Sequence, residues 1–306
     1  MREPSLTVLP PSPPDRHDDG DDAAAESRAP GELGRLAAAG GRHRGLWCHL
    51  TRVGVVLSEN GLRPDHAGLV AVRHGQSLAN VAFANAEASG GEVAGLGCRD
   101  ADVALSPAGR GQAAALGRWV RDQPPFGAVY CSPYVRARQT WQIAAGELPS
   151  DHRPPPVMVD ERLRDREMGQ LELLTAAVIG RRFPQEARRR ADAGDLYYRP
   201  PGGESLADVA LRLRSFLRDV DLAGQSLVVA HDGVVLMLRY ITESLTEEEL
   251  LRVPPAANAS VTRWAVTSGS LRLVVYGDVS HLDGAGGPPL PAERPGPPLK
   301  GLLTGE

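Results

Sequence analysis

Lysine is almost missing from this 306-residue chain: the one lysine is Lys300, and arginine supplies the rest of the positive charge. Cysteine is scarce too. Cys48, Cys98 and Cys131 are odd in number and form no C-x-x-C pair, which argues against a disulfide framework or a zinc knuckle. Long apolar runs are absent. The longest near the end of the core, Leu227 to Leu238, is interrupted by His231 and Asp232 and is too short to span a bilayer. The first 30 residues are acidic and proline-rich with no apolar centre, so they do not read as a secretory signal. The net charge of −4 carries no basic excess of the kind that marks a nucleic-acid partner. These absences predict a cytoplasmic protein with no membrane and no nucleic-acid partner.

What is present is an apolar content of 42%, enough for one substantial core. Residues 1–44 are rich in Pro, Asp, Ala, Gly and Arg without hydrophobic periodicity. They read either as a disordered extension or as sequence upstream of the true start codon. Residues 284–306 carry Gly-Gly-Pro-Pro and Pro-Gly-Pro-Pro and read as a flexible tail. The catalytic domain is therefore expected over 45–283.

Inside it, short apolar runs alternate with helical stretches. Strands are expected at 68–72, 128–131, 157–159, 226–230, 260–266 and 271–276. Helices are expected at 77–87, from Ser106-Pro107 to about 122, from Pro133 to about 147, from an N-cap at Ser205 to about 222, and at 234–243. Residues 173–199 read as irregular helices capping one side. The last two strands are joined by Thr267-Ser268-Gly269-Ser270, a hairpin turn, and must add an antiparallel edge. The pattern predicts a three-layer α/β/α sandwich around a mostly parallel mixed sheet.

Ligands of open α/β sheets bind beyond the carboxyl ends of the strands. Three such ends are polar: Arg73-His74-Gly75, Ser132-Pro133-Tyr134-Val135-Arg136 and His231-Asp232-Gly233. Two histidines and two arginines facing one crevice suit a phosphomonoester. Arginine presents a planar fork to phosphate oxygens. At ~4 Å and an effective dielectric near 20, each cationic contact is worth roughly 4 kcal/mol before desolvation. A neutral imidazole can attack phosphorus if its other nitrogen is held by an acceptor. Gly75 would let the chain turn tightly and bring backbone amides near the phosphate, with the helix dipole after Ser77 adding to the field.

Arg73-His74-Gly75-Gln76-Ser77-Leu78-Ala79-Asn80 resembles the R-H-G-x-[ST]-x-x-N signature of the histidine phosphatase superfamily, also called phosphoglycerate mutase-like. Leu105-Ser106-Pro107-Ala108-Gly109 with Gln112-Ala113, Ser132 to Thr140, Gly202-Gly203-Glu204-Ser205, and Val228-Val229-Ala230-His231 resemble further segments of that family, in its order, over about 69–276. The resemblance implies that His74 is the phosphorylated nucleophile. It implies that Arg73, Arg136 and His231 bind the transferring phosphate, and that Asn80 orients phosphate or substrate, unless it only satisfies local backbone. The family's general acid is a Glu four residues before a glycine. Here Asp165 precedes Gly169 at that spacing, one methylene shorter. Asp232, directly after the second histidine, is the rival acid, and Glu161 and Glu167 are fallbacks.

The resemblance implies metal-independent phosphomonoester hydrolysis of a small phosphorylated substrate through a phosphohistidine, without a cofactor or metal. The alternatives are a cofactor-dependent phosphoglycerate mutase, whose pocket usually includes a lysine that this core lacks, and a non-catalytic module that binds phosphorylated ligands. Glu204 is expected to be a supporting carboxylate and Cys131 a small buried hydrophobe. Arg188 to Arg190 are expected to form a solvated face. Tyr197, Tyr198 and Arg199 either touch a leaving group or simply pack, and Arg181 and Arg182 are read as surface residues in preference to contacts for a substrate carboxylate.

Overall fold

The computed structural model describes residues 67–283 except 94 and 153. The expectations for 1–44 and 284–306 fall outside these residues. The centre of the fold is β1 (Gly68–Arg73), whose six residues are all buried. It pairs in parallel with β4 (Gln225–Ala230), and β4 in turn pairs in parallel with β2 (Ala128–Cys131). The edge strand β3 (Val157–Val159) is parallel to β2. On the other side, β5 (Val261–Thr267) runs antiparallel to β1 and to β6 (Ser270–Asp278). The order β3-β2-β4-β1-β5-β6 matches the expected mixed sheet. The hairpin turn places Ser268 at φ 50° and Gly269 at φ 70°, as a tight two-residue connection requires.

The continuous apolar run of β1 is explained by burial on both faces. Leu69 and Ala71 face a cluster built with α6 (Leu206–Asp219) and α7 (Asp232–Glu243). Val70 and Val72 face the opposite cluster with α2 (Pro107–Arg121) and α3 (Val135–Gly146). Helices on both faces of one sheet give the α/β/α sandwich. The remaining helices are α1 (Leu78–Ser89), α4 (Ala176–Arg182), α5 (Pro184–Tyr197) and α8 (Glu247–Arg252).

Local chemistry sets the helix starts. Ser106 caps α2 by accepting from the Gly109 amide, with Pro107 in the first turn. Ser205 and Asp208 form a capping box on α6. The α7 helix begins at Asp232 rather than Val234, because its first turn is polar and the apolar periodicity starts only afterwards. The helix α8 was not expected. At six residues it is too short to show periodicity, although its Thr246–Glu249 capping box is readable.

The turn after β1 meets the N-terminus of α2. A Cβ on Gly75 would lie 2.6 Å from the Gly109 carbonyl oxygen, and one on Gly109 would lie 2.0 Å from the Gln76 carbonyl oxygen. The turn after β1 is thus pressed against backbone, where only hydrogen atoms fit. Gly109→Ala is expected to destabilise the protein by about 1–3 kcal/mol through overpacking, read as a lower melting temperature. An unchanged melting temperature would show that this contact relaxes freely.

Candidate active site

His74 follows β1 directly and is buried, 3% exposed. Its amide donates to Ala230 O at 2.9 Å, and its carbonyl accepts from Ala259 N at 3.0 Å and from Asn258 Nδ2 at 3.3 Å. The backbone is therefore clamped between β4 and the loop before β5. Its Nδ1 lies 2.7 Å from Gly75 O. A carbonyl can only accept, so Nδ1 carries the proton and Nε2 keeps a lone pair. That lone pair faces Arg136 Nε at 3.3 Å. Burial, then the charges of Arg136, His231 and Arg73, hold the His74 imidazole well below its ordinary 6.5, so it is neutral.

His231 ends β4 and is fully buried. Its ring centroid is 5.1 Å from that of His74 and 5.0 Å from that of Tyr134. Ser132 Oγ lies 2.7 Å from its Nε2 and also accepts from Tyr134 N at 3.2 Å. The hydroxyl hydrogen is thus left to donate to Nε2, and the imidazole proton sits on Nδ1. That nitrogen is 3.1 Å from Asp165 Oδ2, a close ion-pair distance without good hydrogen-bond alignment. Burial outweighs the neighbouring carboxylate and lowers the His231 pKa as well.

Arg136, at the start of α3, is 3% exposed. Its Nη2 donates to Asp165 Oδ2 at 2.9 Å and to Asp100 Oδ2 at 2.9 Å. Burial alone would raise the Asp165 carboxyl. The neighbouring His231 and the Arg136 charge overcome that and hold it well below its usual 3.8, so it is ionised. Arg73 Nη1 donates to Ala256 O at 2.8 Å. Asp232 Oδ1 accepts from Ala256 N at 2.7 Å. The rival acid therefore braces the same residue that holds Arg73.

A cavity of about 800 Å³ opens over this cluster and is lined by Arg73, His74, Asn80, Arg136, Asp165 and Asp232 among others. The structure thus brings Arg73, His74, Asn80, Arg136, Asp165 and Asp232 around one opening, with His231 beside His74. One reading needs correction. The Gly75 amide does not point to an open phosphate position, since it donates to Thr140 Oγ1 at 3.0 Å, and the next amide, Gln76 N, donates to Gln112 Oε1 at 2.8 Å. Close approach to Gly109 is what demands glycine there. The Asn80 oxygen is likewise engaged, accepting from Ser77 N, Ser77 Oγ and Asn258 Nδ2 at 3.0, 3.0 and 3.1 Å. Only its amide NH₂ remains to meet a ligand.

The shorter Asp165 reaches His231 and Arg136 because its loop is pulled inward. Arg212 donates to the carbonyls of Arg162 at 2.6 Å and Asp165 at 3.1 Å, and to Glu204 at 3.0 and 3.1 Å. Glu204 also pairs with Arg164. The supporting role expected of Glu204 is visible as this brace. Glu161 and Glu167 are exposed, and Glu167 pairs with Arg164 at 3.2 Å. Cys131 is buried, and burial pushes its thiol up to about 12.

Away from the cluster, the expectation for Arg190 changes. Arg190 lines the cavity and pairs with Asp195 at 2.6 Å instead of standing on a solvated face. Arg182 pairs with Glu92 at the surface. Tyr197 points to solvent, Tyr198 is buried on Glu186, and Arg199 pairs with Asp208, so none of these three lines the cavity. Asp100, Ser132 and Asn258 were missed. No local spacing marks them, since their partners lie 36, 99 and 178–184 residues away. Among the described residues no group of three or more His, Cys, Asp or Glu is placed to hold a metal ion, and no helix is long and apolar enough to cross a membrane.

The α/β/α sandwich thus places two histidines and two arginines beyond the carboxyl ends of its central parallel strands, where open α/β sheets bind ligands. The family model of the histidine phosphatase superfamily (branch 1) matches residues 69–279, and the chain belongs to that superfamily. The 2,3-bisphosphoglycerate-dependent phosphoglycerate mutase 2 of Gloeobacter violaceus is 32% identical over 190 residues, covering 60% of this chain and 80% of that protein. Phosphoglycerate mutase-like protein 4 of Arabidopsis thaliana is 28% identical over 226 residues, covering 72% of this chain and 90% of that protein. The native structure of mycobacterial glucosyl-3-phosphoglycerate phosphatase superposes with a TM-score of 0.54 at 27% identity, covering 69% of this chain and 98% of that one. Phosphatases and mutases thus both stand among its relatives.

The lowered His74 pKa has a consequence for stability. The unfolded imidazole takes up a proton near pH 6.5 that the folded one refuses. Stability contributed by neutral His74 is therefore full above pH 6.5 and declines as pH falls toward the folded-state value. In ring-proton NMR, His74 is expected to titrate below pH 6.5. A midpoint at or above 6.5 would contradict the burial argument.

Proposed function

We propose that this protein is a phosphomonoester hydrolase acting through a phosphohistidine on His74. The observation that carries the reading is the neutral His74, with Nδ1 locked on Gly75 O and Nε2 aimed at the guanidinium of Arg136. A nucleophile whose unprotonated nitrogen stands beside a cation is arranged for attack on an anion.

In this reading the substrate phosphate lies among Arg73, Arg136, His231 Nδ1–H and the Asn80 amide. His74 Nε2 forms the N–P bond as the P–O bond to the leaving group breaks. Asp165 protonates the departing oxygen. Because the carboxyl is ionised in the empty site, its proton must come with the substrate. A phosphomonoester has its second pKa near ~6, and its negative charge beside Asp165 raises the carboxyl toward protonation. Water then attacks the phosphohistidine with Asp165 taking its proton, and inorganic phosphate leaves. Asp165 suits this role better than Asp232, because it touches both Arg136 and His231, while Asp232 Oδ1 turns to the Ala256 amide.

A second reading, phosphoglycerate mutase activity, is favoured by the names of the curated relatives. It calls for a pocket that holds a polyanion, and the described residues contain no lysine.

Phosphate release from p-nitrophenyl phosphate in EDTA tests both readings. His74→Ala is expected to abolish it, and Asp165→Asn to lower kcat by about 10²–10⁴-fold, with a smaller loss when the leaving group is an acidic phenol than when it is an alcohol. EDTA-resistant release that survives in His74→Ala would refute the phosphohistidine route. Transfer between glycerate positions with negligible net release would favour the mutase. A wild type that binds phosphate but turns over none of a broad set of phosphomonoesters would favour a binding module.

A further inference from the structure

A guanidinium has five N–H donors, and in Arg136 all five are taken. Nε faces His74 Nε2 at 3.3 Å. Nη1 donates to the Asp100 carbonyl at 2.6 Å and to Asp100 Oδ1 at 3.2 Å. Nη2 donates to Asp100 Oδ2 at 2.9 Å and to Asp165 Oδ2 at 2.9 Å. A phosphate cannot be added to this fork. It must replace an acceptor that is already there.

The two carboxylates are not equally replaceable. Asp165 Oδ1 also accepts from Arg166 N at 2.9 Å, Oδ2 faces His231 Nδ1 at 3.1 Å, and the residue's carbonyl is held by Arg212 at 3.1 Å. Asp100 sits on the three-residue 3-10 turn Asp100–Asp102, whose N-cap Arg99 provides no side-chain cap. Among the described residues, the hydrogen bonds of its carboxylate are those to Arg136. The chain leading to it is exposed from Gly97 to Arg99 and passes through Gly95 and Gly97 at φ 81° and 59°. Its backbone has further ties: the amide donates to Glu172, which lines the cavity, and the carbonyl accepts from Val103 N at 3.2 Å as well as from Arg136 Nη1. Loss of the Asp100 carboxylate from the fork frees two donors, one on each Nη, while loss of Asp165 frees one and removes the proton carrier.

We propose that Asp100 determines substrate affinity at this site: its carboxylate occupies the Arg136 fork in the empty protein, and a substrate phosphate binds by displacing it. This rests on the reading that Arg136 holds the phosphate. A dianion with three oxygens can match what Asp100 gives up, and it gains His231 and Arg73 besides. A singly charged ligand replaces the carboxylate without gain in charge. Asp100 thereby sets a threshold that favours phosphomonoester dianions, and the binding-competent fraction of the empty protein limits apparent affinity.

The test is calorimetric titration of inorganic phosphate into wild type, Asp100→Asn, Asp100→Ser and Asp102→Asn. Asp102 pairs with Arg99 at 3.0 Å on the surface and serves as the control. Both Asp100 variants are expected to bind phosphate roughly tenfold more tightly, as removal of a dominant closed state requires. The KM for p-nitrophenyl phosphate should fall alongside, with kcat changed by less than about twofold, and Asp102→Asn should match wild type. Unchanged or weaker phosphate binding in both Asp100 variants would overturn the proposal and make Asp100 a buttress that positions Arg136. The parent reading fails separately, if Arg136→Ala binds phosphate as well as wild type does.

Discussion

Arg136 stands where two histidine-bearing strand ends and two acidic loops converge, and its positive charge lets them share one place. Without it, Asp100 and Asp165 would face each other as like charges in a partly buried cavity. With it, Asp165 stays ionised despite burial, and His74 stays neutral. A buried charge is tolerated only when paired and hydrogen-bonded, and Arg136 meets that condition with every donor it has. Its place is fixed by the first turn of α3, where the Arg136 carbonyl accepts from Thr140 Oγ1 at 2.7 Å. The same Thr140 oxygen receives the Gly75 amide. The guanidinium and the histidine turn are therefore positioned by one hydroxyl.

Much of what marks the family in this chain is packing in support of that arrangement. Ser106 caps α2 and hydrogen-bonds Gln76 Oε1 at 2.6 Å, Gly109 admits the Gln76 carbonyl, and Gln112 accepts the Gln76 amide. Gln139 Oε1 accepts from Leu105 N at 2.9 Å, tying α3 to the start of the α2 segment. These side chains do not reach the cavity. They hold the turn after β1 against two helix termini, so that the His74 ring has one orientation. Precision of this kind matters because small misplacements of reacting groups carry large rate penalties.

The acid loop is held by a different device. Glu204 binds Arg164 and Arg212 together, and Arg212 carries that anchorage to the backbone of residues 162 and 165. The Gly-Gly-Glu-Ser segment serves the same loop through backbone. A Cβ on Gly203 would lie 2.4 Å from the Glu167 carbonyl oxygen, and one on Gly169, at φ 53°, would lie 2.2 Å from that of Pro201. The loop carrying Asp165 and the loop before α6 are in van der Waals contact along their main chains. An aspartate in place of the longer glutamate can then still reach the Arg136–His231 gap.

Strand positions, sheet class and the grouping of His74, Arg73, Arg136, His231 and Asp165 were legible in the chain itself. Apolar runs of four to six residues ending in polar turns are local signals, and the order of motifs joined them. The Ser106 and Ser205 caps were legible for the same reason. Asp100 was not, nor was the engagement of the Gly75 amide, because each depends on partners far along the chain, whereas the Ser77 contacts of Asn80 are the local satisfaction its position left open. Arg190 was misjudged because a helix's sequence tells which residues share a face but not which neighbour that face meets. The sequence by itself determined which chemical groups are available and roughly which strand end each occupies. Only the tertiary structure decided which donors are already spent, because a hydrogen bond is set by distance and angle between groups that folding alone brings together.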